Sequence, residues 1–149
     1  MTLPVADRWF ERTTMDDGVR LLWEPHVIEL MRCNIWHVEG SDRDLVIDTG
    51  MGVVSLVDEM QDLLDKPVTA VATHGHADHI GSHHEFDDVI AHASEAASLV
   101  TPSLNSLDIA EAWGRDTVDW LREIGYGPSG DHFVTALPAG VALTSYRQQ

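Results

Sequence analysis

Nine consecutive residues, Thr73-His74-Gly75-His76-Ala77-Asp78-His79-Ile80-Gly81, constrain the fold of this chain more than any other segment. Three imidazoles and one carboxylate fall within six residues, directly after the apolar run from Val68 to Ala72. Neutral imidazole and carboxylate are the usual ligands of zinc and similar divalent ions. In an extended loop His74, His76 and Asp78 point to one side, because side chains alternate with period two. The start of a following helix then turns His79 elsewhere. The spacing suits delivery of ligands to two neighbouring metals, and Gly75 and Ala77 keep the intervening positions small enough for a tight turn. A fold that uses this segment must place a strand end, a loop and a helix start around one point.

The surrounding pattern supplies such elements. Asp16-Asp17-Gly18 is a turn signal, and residues 19–23 follow it as a short strand. Residues 27–38 read as a strand interrupted near Arg32–Asn34. Gly40-Ser41-Asp42 turns the chain into a second strand at 44–47, which makes a hairpin ending at Asp48-Thr49-Gly50. Val53, Leu56, Val57, Met60, Leu63 and Leu64 recur at helical spacing, and Pro67 stops that helix. Residues 68–72 predict a buried strand, 81–86 a short helix, and 89–91 another strand. Ser94 is placed to cap a helix through Val100. Residues 101–106 read as loop, 108–124 as helix broken at Gly114, and 139–144 as a strand. Strands and helices alternate after residue 40, so the fold class is α/β or mixed α+β.

Composition removes several functions. The 149 residues carry 9 Lys+Arg against 25 Asp+Glu, a formal net charge of −16. A surface that acidic repels phosphate backbones and anionic lipid, and the basic residues are scattered singly, so neither nucleic acid nor a membrane surface is an expected partner. No run approaches the ~20 apolar residues that span a bilayer. The N-terminus lacks the basic and apolar regions of a secretory signal, and the expected location is the cytoplasm. The single cysteine, Cys33, lies in an apolar run and reads as a buried, inert thiol.

His74, His76, Asp78 and His79 match position for position the His-x-His-x-Asp-His signature of the metallo-β-lactamase superfamily, which the chain resembles. Leu45-Val46-Ile47-Asp48-Thr49-Gly50 is similar to that family's first motif, a strand ending in Asp-Thr-Gly. Asn34-Ile35-Trp36 is similar to its Asn-x-Tyr/Trp strand, and the likeness runs from about residue 19 to residue 100. The resemblance implies part of an αββα sandwich in which His74 and His76 bind a first metal and Asp78 and His79 a second, zinc in both places with iron or manganese as alternatives. It implies that Asp48 supports the metal loop from behind the ligands, and that Asp78 is catalytic by orienting a bridging hydroxide. The implied activity is hydrolysis of an ester, thioester or lactam-type bond in a small-molecule substrate by zinc-bound hydroxide. The phrase from Ala72 to His79 with Glu85-Phe86 is nearest to thioesterase-like members.

The same resemblance calls for three further ligands: a histidine in a Pro-Gly-His turn, an aspartate in a Gly-Asp strand, and a late histidine. No Pro-Gly-His turn is present, and Gly130-Asp131-His132 reads as loop. His83 and His84 read as a solvated helix face, and His26, His37 and His92 as structural. Two ligands per metal fall below the three that catalytic zinc usually takes from protein. The chain is therefore expected to be a single domain over 1–149 that represents the N-terminal half of the sandwich, apparently truncated, with a helical and loop region at 101–149. An uncovered sheet face would favour self-association. The alternatives are a catalytically incompetent metal-binding domain and an iron-dependent oxidoreductase of the same fold.

Overall fold

The segments flanking the histidine loop are short and rich in β-branched and apolar residues, and they pair edge to edge through their backbones. A computed structural model of the chain describes residues 2–100 and 106–143. Its strands are β1 (Val5–Ala6), β2 (Glu11–Thr14), β3 (Val19–Trp23), β4 (Ile35–Val38), β5 (Asp44–Ile47), β6 (Val68–Ala72), β7 (Val89–Ala91) and β8 (Leu137–Pro138). Its helices are α1 (Leu56–Glu59), α2 (Ala77–Ile80), α3 (Ala96–Val100), α4 (Ile109–Trp113) and α5 (Arg115–Glu123). One six-stranded sheet runs β2-β3-β4-β5-β6-β7. Neighbours are antiparallel from β2 to β5 and parallel from β5 to β7. The mixed α/β class and the hairpin of β4 with β5 agree with the sequence.

The sheet and the chain that covers it share one core. Leu22, Ile35, Val46, Leu56 and Met60 are fully buried, each contributing roughly 1.5–3 kcal/mol of transfer free energy. At the β4–β5 turn the buried His37 donates from Nε2 to Asp44 Oδ2 at 2.9 Å, and Asp44 Oδ1 accepts from Gly40 N at 2.9 Å and Lys66 Nζ at 3.3 Å. His37 is structural, as expected. Cys33 is also buried, and its thiol is pushed well up by desolvation and by the neighbouring Glu24.

Several expected elements differ. The helix over 53–64 is confined to Leu56–Glu59, the apolar positions beyond it being buried by turns, and its N-terminus is held by Glu85, which accepts from Val57 N at 2.9 Å and Ser55 Oγ at 2.8 Å. The long strand at 27–38 contains a 3₁₀ turn at Glu29–Met31, and only Ile35–Val38 joins the sheet. The helix expected at 81–86 begins earlier, at Ala77, and is followed by a 3₁₀ turn at His83–Glu85. Ser94 is not a cap; it donates its backbone N–H to His92 Nδ1 at 3.3 Å, at the head of a 3₁₀ turn leading into α3. Gly114, at φ 83°, breaks α4 from α5 as expected. The strand expected at 139–144 lies instead at Leu137–Pro138, followed by a turn, and Thr144 is outside the described residues. The loop expected at 101–106 also falls almost wholly outside them.

The later part of the chain returns to its beginning. β8 pairs with β1, Val134 bridges to Val27, and His132 bridges to Asp108. Ile28 N donates to Phe133 O at 2.9 Å, and Phe133 N to Leu107 O at 2.9 Å. Residues 131–134 thus fasten α4 beside the 3₁₀ turn at 29–31, and both face the end of the sheet that carries the histidines. Among the described residues no helix is long and apolar enough to cross a membrane.

Candidate metal centre

Parallel pairing of β5 with β6 brings the carboxyl ends of the two strands side by side, the position where open α/β sheets present ligand sites. Asp48 follows β5 and Thr73 follows β6. Asp48 sits in the left-handed region at φ 58°, uncommon for a non-glycine residue but accessible to aspartate. That conformation turns its carboxylate across to the histidine loop. Oδ1 accepts from Thr73 N at 2.9 Å, and Oδ2 accepts from Thr73 Oγ1 at 2.8 Å and from His79 Nδ1 at 2.7 Å.

These bonds determine which ring nitrogens remain available. A carboxylate only accepts, so the proton between Asp48 and His79 is on Nδ1, leaving Nε2 as the donor atom toward a metal. Thr73 has one hydroxyl proton and gives it to Asp48. Its oxygen therefore accepts from His74 Nδ1, 3.1 Å away, and His74 likewise keeps Nε2 free. One buried carboxylate orients two histidines, directly and through a threonine.

The three imidazoles form a cluster. The ring centroids of His74 and His79 are 4.1 Å apart, and those of His74 and His76 are 4.5 Å apart. His79 is therefore not turned away from the other two, contrary to the extended-loop expectation. The reason is that α2 starts at Ala77, inside the motif, and its first turn folds His79 back over His74. Asp78, also in α2, is buried, with Oδ2 at 3.4 Å from His79 Nε2. Two donors bound to one tetrahedral ion at about 2.0–2.1 Å lie about 3.3 Å apart, so this pair has the separation and chemistry of a shared metal edge. Among the described residues no group of three or more His, Cys, Asp and Glu side chains forms a complete metal-holding set. The imidazole and carboxylate donors present fit a divalent ion in kind.

Other segments hold the loop in place. Gly75 N donates to Glu95 Oε2 at 2.8 Å, and a Cβ on Gly75 would collide with Ser98. Thr49 N donates to His79 O at 2.8 Å, and Gly81 N to Gly50 O at 2.9 Å. Gly81 also packs against the backbone of Met51 and Gly52, where a side chain would overlap. Beneath this contact lies Glu24, fully buried, accepting from Met51 N at 2.8 Å and Trp9 Nε1 at 2.9 Å. Desolvation raises its carboxyl to about 7. Glu24 carries no motif, and only its position as an acid between apolar residues distinguishes it in sequence.

His83 is not on a solvated face. It is buried, its Nδ1 lies 2.7 Å from Thr49 Oγ1, and burial lowers it to about 4. His84 is exposed, as expected. His132 and Asp131 lie apart from the histidine cluster: His132 pairs by backbone with Asp108, and Asp131 meets Arg122 at 3.2 Å.

A cavity of about 580 Å³ opens over the cluster, within the range of small-molecule sites. His76, Asp78 and His79 line it together with the apolar side chains of Leu30, Met31, Trp113 and Phe133.

The family model of the metallo-beta-lactamase superfamily matches residues 28–143, and the chain belongs to that superfamily. It is similar to the acyl-coenzyme A thioesterase MBLAC2 of Homo sapiens, 34% identical over 130 residues, covering 79% of this chain and 43% of the relative. The Gallus gallus protein of the same name is 41% identical over 104 residues, covering 64% of this chain and 38% of its own. The chain therefore spans less than half the length of these relatives. Among solved structures, a metallo-beta-lactamase from Hirschia baltica aligns with a TM-score of 0.49 at 21% identity, over 62% of this chain and 48% of that one.

Proposed function

We propose that this chain carries the metal-binding half of a thioester hydrolase, with His74 and His76 holding one ion and Asp78 and His79 a second. The observation that supports this most is the Asp48 network, which leaves the Nε2 lone pairs of His74 and His79 free, that of His79 beside Asp78. The thioester preference rests on the likeness to the thioesterases and on the apolar wall facing the histidines. Zinc is the ion best matched to imidazole and carboxylate donors, with iron and manganese as alternatives. A bound divalent ion supplies acidified water and a polarised carbonyl at neutral pH.

The chain's own residues do the rest. Asp48 and Thr73 hold the imidazoles in their ligating tautomers. Asp78 orients the attacking water, and the wall opposite positions the substrate and excludes solvent from it. The single buried thiol suits a cytoplasmic setting.

Thiol release from dodecanoyl-coenzyme A by the zinc-loaded chain tests the reading. Turnover is expected to vanish on chelation, return with zinc, and fall by at least about 100-fold in Asp78→Asn. Saturable zinc binding with no thiol release from any acyl-coenzyme A contradicts it. That outcome supports a second reading, a metal-binding domain without turnover, which the lack of a complete donor set among the described residues favours.

A further inference from the structure

Leu30 and Met31 reach the cavity from the 3₁₀ turn at 29–31, and Trp113 and Phe133 from beyond residue 106. Trp113 ends α4, one turn after the buried Ile109, so both share the inward face of that helix. Gly114 then reverses the chain, leaving the indole at the cavity margin. Its ring meets Phe133 edge-on, with centroids 5.0 Å apart at 68°. Phe133 is itself held by backbone bonds to Ile28 and Leu107. The aromatic pair is therefore a fixed wall, set by the return of residues 131–134 to the N-terminal segment.

The chemistry of the lining selects what enters. Among the described residues no Lys or Arg lines the cavity, and the one carboxylate is Asp78. A phosphate or carboxylate group would find no cation there and would meet a buried acid. An alkyl chain would cover four apolar side chains and leave water, the favourable transfer. His76, Asp78 and His79 border the same cavity, so an alkyl group held by these four side chains keeps its attached carbonyl in the space that the histidines line.

We propose that Leu30, Met31, Trp113 and Phe133 form the subsite for the acyl chain of the thioester, and that Trp113 limits the length of chain accepted. The anionic carrier then remains outside the cavity. This inference rests on the thioesterase reading above, and its test separates the two.

Relative kcat/KM is measured over saturated acyl-coenzyme A substrates from four to sixteen carbons. Binding of the S-dodecyl thioether of coenzyme A is measured in parallel by calorimetry, which needs no turnover. Both are read for the wild-type chain, Leu30→Asp, Trp113→Phe and Trp113→Ala, with Trp120→Ala as a control on the exposed face of α5. Leu30 is half-exposed, so the charge it gains there is compatible with folding.

The wild-type kcat/KM is expected to rise about fourfold per methylene, the worth of one buried CH₂, up to a plateau. Leu30→Asp flattens the rise and weakens thioether binding at least tenfold, Trp113→Ala moves the plateau to longer chains, Trp113→Phe moves it less, and the Trp120→Ala control stays near wild type. Thioester turnover with no dependence on chain length, or with the same profile in Leu30→Asp and Trp113→Ala, overturns the subsite while leaving the thioesterase reading intact. Absence of turnover with tight, Leu30-sensitive thioether binding overturns the thioesterase reading and supports the subsite. Thioether binding no tighter than that of coenzyme A alone overturns the subsite whatever the turnover.

Discussion

Asp48 accepts hydrogen bonds from the backbone and hydroxyl of Thr73 and from His79 Nδ1, and its φ of 58° is what allows a strand-end residue to reach them. Asparagine tolerates the same backbone region, so Asp48→Asn removes the charge without forcing the loop to move. An amide matches a histidine Nδ1–H less well than a carboxylate, and supports of this kind typically contribute 10–100-fold to metal affinity. Asp48→Asn should weaken zinc binding by about that factor in competition with a chromophoric chelator. Thr73→Val should weaken it less, because only His74 loses its acceptor, and the double variant should fall short of the product of the two effects, since both act on one network. That Asp48 meets the histidine loop was expected from the resemblance of its Asp-Thr-Gly setting. The part of Thr73 was not, because a threonine next to a histidine looks like any strand-end residue until the neighbouring strand is placed beside it.

Helix α1 has only four residues, too few to be stable by propensity. Glu85 holds it from outside, accepting from Val57 N and Ser55 Oγ at the turn that follows the histidine motif. A carboxylate at a helix N-terminus that also accepts backbone N–H bonds contributes about 1–2 kcal/mol. Glu85→Ala should lower stability by about that amount in urea unfolding, and zinc affinity should change little, because Glu85 touches no histidine of the motif. At this scale the sequence is a partial guide. Apolar and β-branched runs between turn signals mark β3, β5 and β6 at their observed bounds, since those strands have a buried face, whereas the run at 27–38 is strand only at Ile35–Val38. β2, Glu-Arg-Thr-Thr, is exposed at every position and is held by strand pairing alone, so no periodicity betrays it. β1 and β8 are two residues each and pair across nearly the whole chain. The helix periodicity at 53–64 overstated α1, because the apolar positions there are buried by turns as effectively as by a helix.

Two buried titrating groups give the molecule opposing responses to pH. Glu24 is raised from 4.5 to about 7 by desolvation, so its neutral form is favoured in the fold. Its contribution is fully present below pH 4.5 and is lost as pH rises toward 7. His83 is lowered from 6.5 to about 4, also by desolvation, so its contribution is present above pH 6.5 and is lost as pH falls through 4. Each is worth on the order of 3 kcal/mol across its window. Between about pH 4.5 and 6.5 the two cancel in part, and wild-type stability should vary little. Glu24→Gln should leave stability rising with pH over that interval, and His83→Gln should leave it falling, as read from urea midpoints at several pH values. Parallel profiles for all three proteins would refute the opposition.

At the same scale the sequence showed the histidine motif and the fold class, but neither the cavity wall nor the burial of His83. Trp113 and Phe133 meet only because residues 131–134 return to the N-terminal segment, a long-range contact that no local pattern announces. His83 has the composition of a surface turn, yet it fills space under Thr49.

The central claim is that the loop from His74 to His79 binds metal through nitrogens oriented by Asp48. Calorimetric titration of the metal-free chain with zinc, against His74→Ala/His76→Ala, tests it most directly. Saturable binding in the wild type, weakened at least about 100-fold in the double variant, is the predicted result. Equal zinc affinity and stoichiometry in the two proteins would contradict it.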